Sequence, residues 1–228
     1  MIHNKKEFSL GLVLFIGFWG VFAVLMSPVF AGQNLLDYMD NLYNTISKNS
    51  AYYIPGAQER AAKNIGKEIT FTVKAKNEAQ AARTTRNFEI IGARVVADGT
   101  SLEVTGDMGR ILTAILEDAD LMYANDGGAI SARYGMHERL VVYDWWNALK
   151  TGQDDLNRQH LFAEAKVFYD AMTRGVEPAY NYYEIEAEPI RNKAGTVVLS
   201  LAGYVIYTLW FGFAILFMFE GWGIRLEH

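Results

Sequence analysis

Two long apolar stretches lie near the two ends of this chain, and a long polar segment separates them. Residues 8–30 form the first stretch, and residues 195–219, whose only ionisable side chains are tyrosines, form the second. A helix rises about 1.5 Å per residue, so either stretch can cross a hydrocarbon core of about 30 Å. The pattern predicts two transmembrane helices with a domain between them.

The first stretch shares some features with a secretory signal peptide. Lys5 and Lys6 precede it, and Ala31 follows it at a possible cleavage site. The apolar region of an ordinary signal peptide is about 7–15 residues long. Residues 8–30 exceed that length, so we expect an uncleaved membrane anchor.

Basic residues beside the two spans predict their orientation, because cytoplasmic flanks are enriched in lysine and arginine. Lys5 and Lys6 precede the first span, residues 31–47 carry no basic residue, and Arg225 follows the second span. We therefore expect both termini in the cytoplasm and the middle segment on the periplasmic or extracellular side of a bacterial-type inner membrane. The predicted order is cytoplasmic N-terminus, first span, outer domain, second span and cytoplasmic C-terminus, at residues 1–7, 8–30, 31–194, 195–219 and 220–228.

Apolar spacing within the middle segment predicts a mixture of strands and helices. Asn77 and Asp107 are predicted to cap helices, and Asp98-Gly99 predicts a tight hairpin. A strand predicted at residues 139–143 completes the order β-α-β-β-α-β, which is that of a ferredoxin-like sandwich. The other predicted strands lie at residues 69–73, 93–97 and 101–104, and the helices between them end near Gly92 and Asn125.

Helical spacing also predicts additional helices on both sides of this sandwich. One is expected at residues 35–46. Asp144 is expected to cap a second helix at residues 145–150, and Asp154 or Asp155 to cap a longer helix that ends near Gly175. The predicted fold class is a membrane α+β protein, in which two transmembrane helices flank an extracytoplasmic α+β domain.

Charge and composition exclude several classes of partner and cofactor. Nearly all of the 21 basic and 26 acidic residues lie in the middle segment, and the formal net charge is −5. This mild acidity argues against binding to nucleic acid. The chain has no cysteine, which excludes disulfides, thiolate metal sites and covalently attached haem. The histidines are not spaced as a helical metal pair, so we expect no metal and no cofactor.

Sequence motifs for catalysis are missing from the chain. It contains no G-x-S-x-G, no P-loop and no G-x-G-x-x-G. Serine, histidine and acidic side chains can still converge in a fold without a motif. The sequence therefore offers no catalytic residue, and we expect a protein that is not an enzyme.

The second span carries small and polar residues that suggest a packing surface. In hydrocarbon, polar side chains preferentially face protein or water, and glycine lets another helix approach closely. Ordinary pairing of the two spans within one chain is the simpler explanation, although two helices cannot bury every such position. The candidates for helix packing or for lining a pore are Ser200, Gly203, Tyr204, Tyr207, Thr208, Gly212 and Glu220.

Three functional hypotheses fit these observations. The first is a non-catalytic membrane subunit of an oligomeric transport or respiratory assembly, whose partners are the lipid bilayer and either further copies or a larger membrane protein. The second is a homo-oligomeric two-span ion channel with Glu220 at the pore mouth. The third is an extracytoplasmic ligand sensor that signals through a partner by helix movement.

Overall fold

The computed structural model describes residues 2–224. Met1 and residues 225–228, including the Arg225 used in the orientation argument, lie outside the described residues. The chain divides into two compact units. We call Met1–Ser47 together with Ala187–His228 the terminal unit, and Lys48–Glu186 the central unit.

The described chain is mostly helical, with one small sheet. The strands are β1 (Glu68–Lys74), β2 (Arg94–Asp98) and β3 (Ser101–Asp107). A single π-helical turn, Met172–Val176, joins α8 to α9. The helices are α1 (Lys5–Leu25), α2 (Leu35–Ser50), α3 (Ile54–Ala62), α4 (Glu78–Ile90), α5 (Met108–Tyr123), α6 (Gly127–Tyr134), α7 (Glu138–Arg158), α8 (Phe162–Ala171), α9 (Glu177–Asn181) and α10 (Ile190–Trp222).

The two predicted apolar helices are present near the ends of the chain. Helix α1 has 21 residues and contains an 18-residue stretch with a mean hydropathy of 2.4, and α10 has 33 residues and contains one with a mean hydropathy of 1.9. By length and composition, both are able to cross a membrane. The Asn4 side chain caps α1 by accepting hydrogen bonds from the backbone N–H groups of Lys6 and Glu7.

The sheet of the central unit is antiparallel, with the strand order β1-β3-β2. The predicted hairpin between β2 and β3 is confirmed, and Gly99 supplies the positive φ of 57° that its two-residue turn requires. Both predicted caps are also confirmed. Asn77 accepts a hydrogen bond from the Gln80 N–H at the start of α4, and Asp107 accepts one from the Arg110 N–H at the start of α5.

The predicted fourth strand is wrong, because residues 139–143 belong to the first turns of α7. The short apolar run Leu140-Val141-Val142 fits a buried strand or a buried helix equally well. Trp145 and Leu149 are also buried and follow Val141 and Val142 at helical spacing. This spacing favours the helix. With three strands instead of four among residues 2–224, the ferredoxin-like sandwich is not supported.

The predicted caps at Asp144 and at Asp154 or Asp155 are also wrong, because all three residues lie inside α7. Asp144 is fully buried and accepts hydrogen bonds from Arg83 Nε at 2.9 Å and Gln80 Nε2 at 3.0 Å. This carboxylate therefore fastens α7 to α4 instead of beginning a helix.

Side chains of α7 close the outer edge of β1. Asp155 accepts a hydrogen bond from the backbone N–H of Thr72 at 2.8 Å, and the Thr151 hydroxyl accepts one from that of Lys74 at 3.1 Å. Asn147 Nδ2 donates to the Lys74 carbonyl at 2.9 Å. These α7 residues recur every four positions, so one row of the helix surface takes the place of a neighbouring strand. Gln159, which follows α7, continues the row by donating to the Thr70 carbonyl at 3.2 Å.

The core of the central unit lies between one face of the sheet and helices α4, α5 and α7. Its aromatic centre is built from edge-to-face pairs, with ring centroids 4.9 Å apart for Phe71 and Phe168 and 5.1 Å apart for Phe88 and Trp145. Such pairs stabilise a core beyond their burial from water.

The buried carboxylate of Asp118 joins α5, α6 and α7. It accepts hydrogen bonds from the Tyr134 hydroxyl at 2.5 Å, Arg133 Nη1 at 2.8 Å and Trp145 Nε1 at 2.9 Å. Burial raises the pKa of the Asp118 carboxyl, and these three donors oppose that shift. The carboxylate is thereby kept in a fully paired state inside the fold.

The two ends of the central unit are tied to each other by Lys48. This lysine is only 3% exposed, and its Nζ donates to the Ile185 carbonyl at 2.6 Å and to Asn125 Oδ1 at 2.9 Å. The Tyr123 hydroxyl donates in turn to the Lys48 carbonyl. Burial lowers the pKa of Lys48 and raises the pKa of Tyr123 to about 12. The chain therefore enters and leaves the unit at one point.

We expect Asp118→Asn to destabilise the protein by about 3 kcal/mol, because an amide cannot accept from all three donors and leaves the Arg133 charge unpaired. Thermal unfolding of the full chain in detergent, followed by tryptophan fluorescence, measures the change. Glu117→Gln on the exposed side of the same helix is the control, with an expected change below about 0.5 kcal/mol. Equal stability of the two variants contradicts the role of Asp118.

Candidate functional site

Helices α1 and α10 of the terminal unit pack antiparallel with direct backbone contact at two glycines. A Cβ added at Gly11 would lie 2.8 Å from the Ala214 carbonyl oxygen and 2.6 Å from the Met218 nitrogen. A Cβ added at Gly221 would lie 2.5 Å from the Phe8 nitrogen. Real Cβ atoms do not approach backbone this closely, so both positions require glycine.

Aromatic side chains of α10 bond the backbone of α1. The Tyr207 hydroxyl donates to the Phe18 carbonyl at 3.2 Å, and Trp210 Nε1 donates to the Leu14 carbonyl at 2.9 Å. The rings of Tyr207 and Phe18 stack with centroids 4.2 Å apart. Of the sequence candidates, Tyr207 therefore lies in the contact between the two apolar helices, and Trp210 joins it there.

The remaining candidates on α10 lie outside this contact. The Ser200 hydroxyl donates to the Val197 carbonyl and shares a 2.9 Å hydrogen bond with the Tyr43 hydroxyl of α2. Thr208 Oγ1 donates to the Tyr204 carbonyl at 2.7 Å, and Tyr204 is 71% exposed. Glu220 is half-buried in the last turn of α10, where its carbonyl accepts from the Gly223 N–H.

Two glycine candidates face open space. A Cβ added at Gly203 or Gly212 would meet no atom within 4 Å. Tyr204, Thr208 and Gly212 recur every four residues and form one row along the helix, which we call the open face of α10. Gly203 continues the row of Tyr207 and Trp210 but lacks their close contact with α1.

A second candidate site lies on the central unit and was missed by the sequence reasoning. It is a cleft of about 270 Å³ between α7 and α9. Its walls are formed by the side chains of Tyr143, Trp146, Glu177, Tyr180 and Asn181.

The π-helical turn before α9 positions one wall of this cleft. Gly175 in this turn packs on Leu116, where an added Cβ would lie 2.3 Å from a methyl carbon of the leucine. Glu177 comes directly after the turn, and its Oε1 accepts a hydrogen bond from Trp146 Nε1 at 2.8 Å. An extra residue in a helical turn rotates the next residues about the helix axis, and such turns are frequent at functional sites.

Cations of the chain lie over the rings of the cleft and its rim. Lys76 Nζ is 5.0 Å from the ring centroid of Tyr143, and Lys150 Nζ is 4.9 Å from that of Trp146. The Arg139 guanidinium lies 5.9 Å from the Tyr180 ring. Aromatic faces with a nearby carboxylate suit positively charged groups, and here the chain's own lysines and arginine meet that preference. The Trp146–Glu177 hydrogen bond and the contact of Arg139 with Tyr180 join α7 to α9.

The only signal in the sequence for this cleft is the spacing of Trp146 and Lys150, which places both on one side of a helix. The partner Glu177 is far along the chain and reaches Trp146 only through the π-helical turn. Comparison with known proteins adds no further signal, since the chain has no significant match to a family model, a curated protein or a solved structure.

We expect Gly11→Leu to separate α1 from α10, because the added side chain meets backbone atoms and such overpacking costs about 1–3 kcal/mol. Cysteines at Phe15 and Phe211, whose ring centroids lie 6.2 Å apart, would report the separation through a short bifunctional maleimide. We predict that cross-linking falls about tenfold.

Gly20→Leu is the matched control for this experiment. It makes the same substitution in the same helix, at a position where a Cβ meets no atom within 4 Å. Cross-linking should therefore stay at the level of the parent. Equal loss in both variants would show that the effect does not arise from the backbone contact at Gly11.

Proposed function

We propose that this chain is a two-span integral membrane protein of a bacterial-type inner membrane, with the central unit on the periplasmic or extracellular side. Large apolar side chains are exposed along α1 and α10, including Val13, Ile16, Val198 and Leu209. Lipid is the natural environment for such surfaces, and a helix satisfies its backbone hydrogen bonds internally. Lys5 and Lys6 in the first turn of α1 favour a cytoplasmic N-terminus.

Within that membrane, the chain acts as a non-catalytic subunit of an oligomeric assembly involved in transport or respiration. The observation that carries this proposal is the open face of α10. Tyr204, Thr208 and Gly212 combine hydroxyl groups with a backbone that another helix can approach closely. Helices in lipid associate through small residues and hydroxyls of this kind. Helix α1 covers another side of α10, so the open face is available to a partner.

The absence of cysteine makes the orientation directly testable with single-cysteine variants. Ala79 of the central unit and His3 before α1 are both exposed. We expect a membrane-impermeant maleimide to label Ala79→Cys in intact spheroplasts, and to label His3→Cys only after lysis. The reverse pattern would overturn the proposed orientation, and labelling of both sites before lysis would argue against two membrane crossings.

We expect Gly212→Leu to dissociate the assembly, because the new side chain fills the space that a partner helix requires. Native mass spectrometry after gentle extraction from the membrane measures the complex. Helix contacts of this type contribute about 1–2 kcal/mol, so the assembled fraction should fall about tenfold.

Gly195→Leu is the matched control for the open face. It changes a glycine of the same helix that also faces open space but lies outside the row of Tyr204, Thr208 and Gly212. The complex should keep its mass in this variant. A parent protein that is a stable monomer with no co-purifying partner would refute the proposed assembly.

A further inference from the structure

The two edges of the sheet differ in how their backbone groups are satisfied. The outer edge of β1 is bonded by side chains from α7, such as Asp155 and Thr151. Within residues 2–224, no strand or side chain bonds the outer edge of β2. Val96 in the middle of that strand is 60% exposed. An open edge of this kind is a template for pairing with another strand.

The bonds from α7 reveal which backbone groups of β2 are free. Residues of an antiparallel strand direct their N–H and C=O groups alternately to one side and the other. Helix α7 bonds β1 at Thr72 and Lys74, and Gln159 directly after the helix bonds it at Thr70, so the alternate residues of β1 bond β3. By the pairing of β1 with β3, the residues of β3 that are left for β2 are then 101, 103 and 105.

The same alternation continues into β2. Residues 101, 103 and 105 of β3 stand opposite Asp98, Val96 and Arg94. These three residues therefore bond β3, and the N–H and C=O groups of Val95 and Ala97 point to the open edge. The side chains of Arg94, Val96 and Asp98 share the solvent face of the sheet, whereas Val95 packs on the core.

We propose that two copies of this chain pair through antiparallel β2 strands, with Val96 of one copy opposite Val96 of the other. In this register Val95 stands opposite Ala97 of the second copy, and their free backbone groups form four hydrogen bonds across a two-fold axis. The two three-stranded sheets become one continuous six-stranded sheet. A two-fold interface of this kind uses the same surface on both partners.

Charge complementarity selects this register. It places Arg94 opposite Asp98 of the second copy twice, once on each side of the axis. Among the residues that the structure describes, neither side chain has an ion-pair partner within its own chain. Shifting the register by two residues loses both ion pairs. Shifting it by one residue places the core-facing residues of the two copies on opposite faces.

The strength of the β2–β2 contact depends on the proposed membrane anchoring. The geometry of the contact is independent of that anchoring. A pair of five-residue strands is weak by itself in water. Anchoring both copies in one membrane raises their effective concentration and allows a small contact to hold them together. The inference therefore deepens the proposed function, because it names a second copy of this chain as the partner.

Disulfide formation in the full-length chain tests the pairing in its own membrane. Opposed residues of a non-hydrogen-bonded pair have Cα atoms about 4.5 Å apart, which a disulfide can bridge. We expect Val96→Cys to form a covalent dimer under mild oxidation. Glu103→Cys lies on the same face, one strand further from the edge, and its copies would be about 14 Å apart. That control should remain monomeric on a non-reducing gel.

Charge reversal in the Val96→Cys background tests the register. Arg94→Asp or Asp98→Arg places like charges opposite each other, and we expect the dimer yield to fall about threefold to tenfold. The double variant restores opposite charges and should recover the yield. The edge pairing is overturned if Val96→Cys yields no more dimer than Glu103→Cys, or if the double variant yields no more dimer than the single variants.

The maleimide labelling of Ala79→Cys separates this test from that of the membrane topology. Correct labelling without a Val96 dimer overturns the edge pairing alone. Incorrect labelling together with a Val96 dimer overturns the orientation and leaves the edge pairing supported. Equal thermal unfolding of all variants ensures that a lost dimer does not reflect a lost fold.

Discussion

The backbone of an edge strand needs hydrogen-bond partners, and in this protein one helix supplies them for β1. Asn147, Thr151 and Asp155 are spaced so that a single row of α7 runs along the strand. The other side of α7 buries Trp145 in the core, so the helix is fixed from two directions. This arrangement explains why no further strand pairs with the outer edge of β1 in the described residues. It also leaves β2 as the edge where a further strand can be added.

Buried carboxylates then fix how the helices stand around the sheet. Asp118 and Asp144 are fully buried, and each is paired with an arginine whose side chain is 39% or 29% exposed, respectively. Because these arginines stay partly hydrated, the desolvation falls mainly on the carboxylates, which gain several donors each. Asp118 can accept from both Tyr134 and Trp145 only when α6 and α7 lie at matching depths. The pairs therefore contribute to a unique packing of helices as well as to stability.

Features that depend on near neighbours could be predicted from the sequence, and features that depend on distant partners could not. The caps at Asn77 and Asp107 and the hairpin at Asp98-Gly99 are set within a few residues, so their signals are local. Asp144 is a residue type that often caps helices, but its partner Arg83 lies on another helix. The aromatic cleft could not be predicted for the same reason, since the π-helical turn that brings Glu177 to Trp146 has no local sequence signature.

The terminal unit illustrates why glycine content alone does not define an interface. Gly11 and Gly221 touch backbone, whereas Gly203 and Gly212 touch nothing, and only the surroundings distinguish them. On the open face, the Thr208 hydroxyl is already satisfied by its own helix. A partner helix there would gain close packing and few new hydrogen bonds. At β2 the free backbone groups and the opposite charges of Arg94 and Asp98 fix the register of two paired strands. The area that such a contact buries is small. In the proposed assembly, packing within the membrane therefore supplies most of the attraction, and the edge of β2 determines which way two copies face each other.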